Sequence, residues 1–228
     1  MKLLVHVVPR RGAEGAARAR LAELGREIAS RTPAFVESVA TMWRVPGDPF
    51  GPATPYAGAL EVRGGEGSSA AALVAIADGL ADRFGDGVHS DLCTALVGRD
   101  HVFIAAERAP IRYQYLMRRR EGFTHESYLL RYREIHSRFG FATPGISGYV
   151  QFHVDPEATR AAARAAGFAG WEVDSVSELQ MDSLERFLEE IARSTIGADA
   201  TADEEVFVDR PNSLAFCSKV LWHPMEEG

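Results

Sequence analysis

The sequence predicts an α+β fold built from two tandem units, each with the element order β-α-β-β-α-β. Two observations carry this prediction. The same order of strands and helices runs twice, with Pro110 between the two runs. A "TP" turn also occurs at the same place in both, as TPAF at 32–35 and TPGI at 143–146, 111 residues apart. We therefore expect one unit at residues 1–110 and a second at residues 111–228, each of ordinary size for a small unit.

The elements of the first unit follow from apolar spacing. KLLVHVVP at 2–9 is typical of a strand, and residues 13–30 carry Ala17, Leu21, Leu24 and Ile28 at helical spacing. Two further strands are expected at 35–44 and 56–63. Ser68 or Ser69 caps the next helix, and residues 91–107 form a last strand or a hairpin around Gly98.

The second unit repeats this order. Strands are expected at 111–119, 145–155, 171–181 and 212–222. A helix fills 125–139, and the alanine-rich insert 156–170 forms a short helix. The pair Asp182 and Glu185 forms a capping box for the helix that carries Leu184, Phe187, Leu188 and Ile191. The acidic run ADEEVFVD at 202–209 is interpreted as a solvated loop and strand edge.

A β-α-β-β-α-β unit is ferredoxin-like, with an antiparallel sheet that carries helices on one face only. The bare face has to be covered, and a second unit in the same chain can cover it. We therefore expect the two sheets to face each other and to enclose an interior in which a small ligand binds.

Composition excludes several classes of protein. The formal net charge is −7, which argues against a nucleic-acid partner. No segment is long enough to span a membrane and no secretory signal is apparent. Cys93 and Cys217 are not part of a CxxC pair, so we expect reduced thiols in a cytoplasmic protein. The histidines show no HxH or HExxH spacing, so no metal is expected.

His136 is the most unusual residue of the sequence. It lies on the apolar face of the helix SYLLRYREIHSRFG, with Tyr128 on the same helix. Aligning the two TP turns places Gly25 opposite His136 and Met42 opposite His153, so the first unit has no equivalent histidines. Either His136 is a core histidine bonded to a backbone carbonyl, or it is an acid or base at the edge of a cavity.

Strand alternation supplies the other candidates. In GYVQFHV, the face formed by Val150, Phe152 and Val154 suits packing against helices, which leaves Tyr149, Gln151 and His153 for a polar interior. Tyr113 and Tyr115 are expected to line the same interior, and His6 of the first strand could also point into it. The alternative for each of them is an ordinary core residue with its polar atom satisfied.

The second unit resembles the EthD family of the dimeric α/β-barrel superfamily over residues 113–222. The resemblance rests on four stretches in order, LMRRREGFTHESYLLRYREIHSRFG, PGISGYVQFHVD, ELQMDSLERFLEE and ADEEVFVDRPNSLAF. It implies a tandem, pseudo-dimeric α/β barrel that acts on phenolic or polyketide-like aromatics without a cofactor. It also places the family's helix histidine at His136 and its inward strand positions at Tyr149, Gln151 and His153. The sequence reads HSRFG where the family usually has HgP, so the local turn and the pocket differ.

On this basis we expect a cofactor-free lyase of an aromatic, phenolic small molecule, which by acid/base catalysis releases carbon dioxide, water or a one-carbon fragment. His136 is the expected acid/base, and His153, Tyr149 and Tyr115 are expected to hold the developing charge. Tyr113, Gln151, Tyr128 and His6 are the remaining candidates for binding substrate. Two alternatives stay open, a cofactor-free oxygenase or isomerase and a non-catalytic aromatic-binding accessory protein. A homodimer is possible but not required, because a fused pair already covers both sheet faces.

Overall fold

The computed structural model describes residues 1–31, 35–51, 54–106, 108–169 and 172–225. Most of the TPAF turn, at 32–34, lies outside the described residues. The fold is mixed α+β, with eight antiparallel strands that close into one barrel. The strands are β1 (Lys2–Val7), β2 (Val36–Arg44), β3 (Gly58–Gly64), β4 (Thr94–Ile104), β5 (Ile111–Met117), β6 (Gly148–Val154), β7 (Ser175–Met181) and β8 (Leu214–His223).

The helices lie on the outside of this barrel. They are α1 (Glu14–Ser30), α2 (Ala70–Ile76), α3 (Leu80–Phe84), α4 (His125–Arg131), α5 (Ser137–Ala142), α6 (Pro156–Ala166), α7 (Leu184–Ala192) and α8 (Ile196–Phe207). A π-helical turn, Tyr132–His136, joins α4 to α5. The alanine-rich insert forms the expected helix, α6, which packs on β4 and α2 of the first half.

The barrel order is β1-β3-β2-β8-β5-β7-β6-β4. Within it, the first half contributes the run β4-β1-β3-β2 and the second half the run β8-β5-β7-β6. The two runs are hydrogen-bonded to each other through β2 with β8 and β4 with β6. The described parts of the two halves therefore share a single closed sheet, and the division at residue 110 falls between β4 and β5.

Register decides which side chains point into the barrel. Lys2 lies opposite Arg63 and Gly98, and Glu178 lies opposite Val150 and Gln114, so these residues share one face of the sheet. That face is the inside. There the Lys2 Nζ atom contacts carboxylates of Glu178 at 3.0 Å, Asp100 at 2.9 Å and Glu61 at 3.4 Å. Charge and large side chains therefore fill the barrel.

This result overturns the expected orientation of the sheet faces. Val150, Phe152 and Val154 point into the barrel, and the Lys2 ammonium lies 4.7 Å from the centre of the Phe152 ring. The polar side of the same strand, with Tyr149, faces the helices. Apolar strand positions suit a packed interior as well as they suit a helix layer, so alternation finds the two faces without saying which one is inside.

Two local predictions were wrong. Ser183, not Asp182, caps α7, because the Ser183 hydroxyl accepts a hydrogen bond from the Arg186 amide at 3.3 Å. The acidic run 202–209 is not a loop. Its first six residues complete α8, a helix of twelve residues. Ser69 does cap α2 as expected.

Candidate active site

The candidate active site is a cavity of about 450 Å³ on the outer face of the second half's sheet, beneath α5, α7 and α8. We call it the outer cavity. Its lining residues are Phe50, Tyr113, Tyr115, Met117, His136, Phe139, Gly140, Thr143, Tyr149, Ser177, Leu179, Phe187, Ile191, Ile196, Gly197, Ala200, Thr201, Glu204, Arg210, Ser213 and Ala215. The sequence predicted a ligand site between two facing sheets, and this prediction is wrong, because side chains already fill the barrel interior.

The π-helical turn carries His136 to the wall of the outer cavity. Thr124 caps the helix that leads to it, accepting a hydrogen bond from the Ser127 amide at 3.1 Å. The backbone then widens over Tyr132–His136 before α5 begins. A π-turn changes the direction in which its side chains point, and such turns recur at functional sites. Helical spacing in the sequence predicted the helix but not this turn.

Asp203 of α8 orients the imidazole of His136. The Nδ1 atom of His136 lies 2.9 Å from Asp203 Oδ2, and both side chains are about nine-tenths buried. A carboxylate only accepts, so Nδ1 carries the proton and Nε2 is left with its lone pair. Burial lowers the pKa of His136, opposed by Asp203. At neutral pH, His136 is therefore a free base.

Glu204, the next residue of α8, lies on the other side of the imidazole. Its Oε1 atom is 3.9 Å from His136 Nε2, and its Oε2 atom accepts a hydrogen bond from Arg210 Nη1 at 3.1 Å. Burial raises the pKa of Glu204 to about 7, although Arg210 opposes this shift. Near neutrality a substantial fraction of Glu204 is protonated, so a proton donor stands beside the base.

Three tyrosines line the wall opposite the helices. Burial raises the pKa of Tyr113 well above its usual value, and it also raises the pKa of Tyr115 and of Tyr149, the last to about 12. All three are therefore neutral hydroxyls at neutral pH. Gly140 of α5 permits the Tyr149 ring to lie here, since a Cβ atom at position 140 would come within 2.1 Å of that ring.

The structure brings four of the eight candidates together in the outer cavity, namely His136, Tyr113, Tyr115 and Tyr149. His153 and Gln151 face the same helix layer but are not among the lining residues. The His153 Nε2 atom bonds Gln151 Oε1 at 3.1 Å, and the Gln151 amide donates to the Tyr132 carbonyl at 3.0 Å. Burial lowers the pKa of His153 to about 3, so it acts as a neutral, bonded core residue.

Tyr128 and His6 also lie away from the cavity wall. The Tyr128 hydroxyl hydrogen-bonds Ser175 at 2.7 Å beneath the helix, which makes it a satisfied core tyrosine. His6 does point into the barrel, as expected, where its ring nitrogens lie 3.3 Å from Thr94 and 3.3 Å from Gln114. The wall of the barrel separates His6 from His136, so one site cannot use both.

Met42 in the first half and His153 in the second half do not occupy equivalent positions. Met42 points into the barrel, because its register partner Ala59 also lies opposite His6. His153 instead points outward. Gly25 of α1 admits a close contact, because a Cβ atom there would come within 2.4 Å of His223 and 2.7 Å of Thr41. In the first half, the position aligned with His136 is therefore a glycine closely packed against His223 and Thr41.

Sequence reasoning missed Asp203, Glu204 and Arg210. The interpretation of 202–209 as a solvated loop hid Asp203 and Glu204, and Arg210 directly follows that run. A signal was present, since Ile196, Ala200, Glu204 and Phe207 recur at helical spacing and place Asp203 at the edge of one face. Among the described residues, no group of three or more histidine, cysteine or acidic side chains is arranged to hold a metal ion. No described helix is both long and apolar enough to cross a membrane.

Solved structures share the fold across nearly the whole chain. A crystal structure of an anthrone oxidase-like protein superposes with a TM-score of 0.64 at 14% identity, covering 96% of this chain and 90% of the other. A candidate monooxygenase from Lactobacillus acidophilus gives 0.53 at 7% identity, covering 97% and 94%. A candidate monooxygenase from Fusobacterium nucleatum gives 0.53 at 7% identity, covering 96% and 91%. At these identities the likeness is one of fold.

No curated protein matches the chain in sequence. The model of the EthD domain does match, over residues 120–211, a segment that includes His136, Asp203 and Glu204. The resemblance to the EthD family is therefore confirmed over residues 120–211, in the second half of the chain.

Proposed function

We propose that the protein is an oxygenase of a small, flat phenolic or hydroxyaromatic molecule, which it activates by removing a proton with His136. The observation that carries the proposal is the buried His136–Asp203 pair, whose free Nε2 lies at the wall of the outer cavity. A base held in one tautomer by a carboxylate is a recurring device for proton transfer.

The walls of the cavity favour an aromatic substrate. Phe50, Phe139 and Phe187 supply flat apolar surface, and Leu179 and Ile191 add aliphatic surface. The volume of about 450 Å³ lies within the range of small-molecule sites. Neutral tyrosine hydroxyls and Arg210 can hold a phenolate oxygen. We therefore infer an aromatic ring with at least one hydroxyl or carbonyl group.

The proposed reaction converts an activated CH₂ group and O₂ into a carbonyl group and water. His136 Nε2 removes one proton, and the resulting carbanion is delocalised into the phenolic ring. This carbanion donates electrons to O₂ and forms a C–O bond. Protonation by the imidazolium then gives a hydroperoxide. His136 Nε2 then removes the second C–H proton, the C=O bond forms as the O–O bond breaks, and the expelled hydroxide takes a proton from Glu204 to give water. Glu204 regains its proton from the His136 imidazolium, 3.9 Å away, so both groups return to their starting states. One acid/base group typically contributes about 10²–10⁴ in rate.

An elimination is the second candidate. It is favoured by a specific observation, the protonated fraction of Glu204 within reach of the base, because a lyase needs a donor for the group that leaves. We rank oxygenation first because three solved structures that share this fold are named as monooxygenases or as an anthrone oxidase-like protein. The same His136 would begin either reaction.

We also infer that the two halves are a fused pair of ferredoxin-like units in which the second half holds the chemistry. The support is the strand order. When the strands are numbered within each half, β4-β1-β3-β2 and β8-β5-β7-β6 both run fourth, first, third, second. The first half then serves as a scaffold that completes the barrel.

Oxygen uptake tests the proposal. Hydroxyanthrones and simpler phenols are offered to the full-length protein in an oxygen electrode, with product identified by mass spectrometry. We expect one O₂ consumed per substrate and a loss of about 10²–10⁴ in kcat for His136→Ala. His89→Ala, a histidine outside the outer cavity, is the matched control and should retain full rate. The same turnover rate in the absence of oxygen would favour the lyase over the oxygenase. Binding of these compounds without any turnover would refute both proposed activities.

A further inference from the structure

A second cavity of about 390 Å³ lies between α6 and the start of α4. We call it the basic cavity. Its lining residues are Arg119, His125, Val154, Pro156, Thr159, Arg160, Ala163, Arg164, Phe168, Ala169, Glu172, Val173 and Asp174. None of these lines the outer cavity, so the two are separate. The chemistry proposed above makes no use of it.

His125 is a cation built into the wall of this cavity. Its Nδ1 atom lies 2.8 Å from the Asp174 carboxylate, and its Nε2 atom lies 3.0 Å from the Val154 carbonyl oxygen. Both partners are acceptors, so both ring nitrogens carry protons. The hydrogen bond to Asp174 also raises the pKa of His125. The same carboxylate binds Arg119 at 2.5 Å, so one buried anion serves two cations.

Arg160 and Arg164 bring two more positive charges. They lie four residues apart on α6 and are therefore neighbours on one face of the helix. Within the described ranges, neither makes an ion pair or a side-chain hydrogen bond. Like charges at this spacing destabilise a helix slightly. The cavity thus has four cationic groups against the two carboxylates of Asp174 and Glu172, in a chain of net charge −7.

The remaining wall is apolar. Ala163, Phe168 and Val173 are buried and present hydrocarbon to the cavity. A bare inorganic anion would use the charges but leave this surface wet, whereas an organic anion would use both. We propose that the basic cavity is a second binding site, selective for a small organic carboxylate with a hydrophobic body held against α6.

Calorimetric titration of the full-length protein with 2-naphthoate tests this site. We expect saturable binding that weakens at least tenfold in the double variant Arg160→Gln, Arg164→Gln. Arg11→Gln with Arg18→Gln is the matched control, because it removes two charges from exposed positions elsewhere and should leave Kd unchanged. Naphthalene-2-carboxamide, the neutral analogue, and inorganic phosphate should both bind at least tenfold more weakly.

Histidine ¹H–¹³C spectra locate the ligand. Naphthoate should move the His125 signals, assigned through His125→Asn, in both the unmodified protein and His136→Ala. An unchanged Kd in the arginine double variant would overturn the proposal. So would movement of the His136 signals alone, which would place the ligand in the outer cavity, or phosphate binding as tightly as naphthoate.

Discussion

At the scale of single residues, the properties of His136 depend on its burial and on two side chains that lie far away in sequence. Asp203 fixes its tautomer, and Glu204 places a second titrating group 3.9 Å from its free nitrogen. The sequence alone singled out His136, because a histidine on an apolar helix face is unusual. It could not supply the partners, because a contact over 67 positions follows from the fold and not from any local pattern.

Asp203→Asn should lower kcat by about 10²–10⁴ while leaving the fold intact, because the amide no longer enforces the productive tautomer. Asp203 raises the pKa of His136 against the effect of burial. Its removal should therefore shift the acidic limb of the kcat/KM profile to lower pH. Asp199→Asn, on the exposed face of the same helix, is the control. A fall in rate without a shift of the acidic limb would mean that Asp203 only supports the structure.

Glu204→Gln should stabilise the protein increasingly as pH rises from about 5 to 8.5. The folded pKa of about 7 exceeds the unfolded value near 4.5, so the folded state keeps a proton that the unfolded state has lost. The unmodified protein therefore loses stability across this window, by on the order of 2 kcal/mol, and the variant does not. Urea unfolding of the unmodified protein and of the variant, at about pH 5 and at about pH 8.5, measures this difference in unfolding free energy. Glu205→Gln should show none, and an equal response of both variants would contradict the account.

At the scale of elements, periodicity predicted the strands and most helices because each buries one stripe of apolar residues. It failed where the backbone departs from a regular period or where a helix carries charge on its buried face. The π-turn at Tyr132–His136 is the first case, and α8 is the second. Both failures fall on the candidate site, since the site needs polar groups and an irregular backbone where packing alone would not place them.

Gly140→Ala tests how closely α5 has to approach the sheet. The new methyl group would overlap the Tyr149 ring, so the helix or the ring must move. We expect a loss of about 1–3 kcal/mol in unfolding free energy. Gly197→Ala in α8 is the control, since its nearest neighbour would be Ile191 at 4.0 Å, and it should be neutral or stabilising. Equal stability of the two variants would show that the α5 contact is loose.

At the scale of the whole molecule, the repeated element order predicted a mixed α+β fold with antiparallel strands, and the structure has eight such strands closed into one barrel. The element order did not predict which face of the sheet is enclosed. The reason is the set of buried charges around Lys2, whose residues alternate with aliphatic ones on strands far apart in sequence. Only the barrel register brings them together and fills the space in which a ligand was expected.

Lys2→Met should cost about 3–5 kcal/mol of unfolding free energy at pH 7, because the carboxylates of Asp100 and Glu178 lose their ammonium partner and keep only Arg63 and Arg112. Lys2 lowers the pKa values of Glu61 and Glu178, so in its absence both should protonate at higher pH. The loss should therefore shrink near pH 4. Lys219→Met, at an exposed position, is the control and should change stability little. A loss equal at both pH values would mean that packing, and not charge, is what Lys2 contributes.

A crystal structure of the protein with a bound hydroxyaromatic ligand tests the central claim most directly. We expect ligand density in the outer cavity, against Tyr113 and Tyr149, with a hydroxyl oxygen or the acidic carbon within about 3–3.5 Å of His136 Nε2. Density inside the barrel beside His6, or in the outer cavity but beyond reach of His136, would contradict the claim.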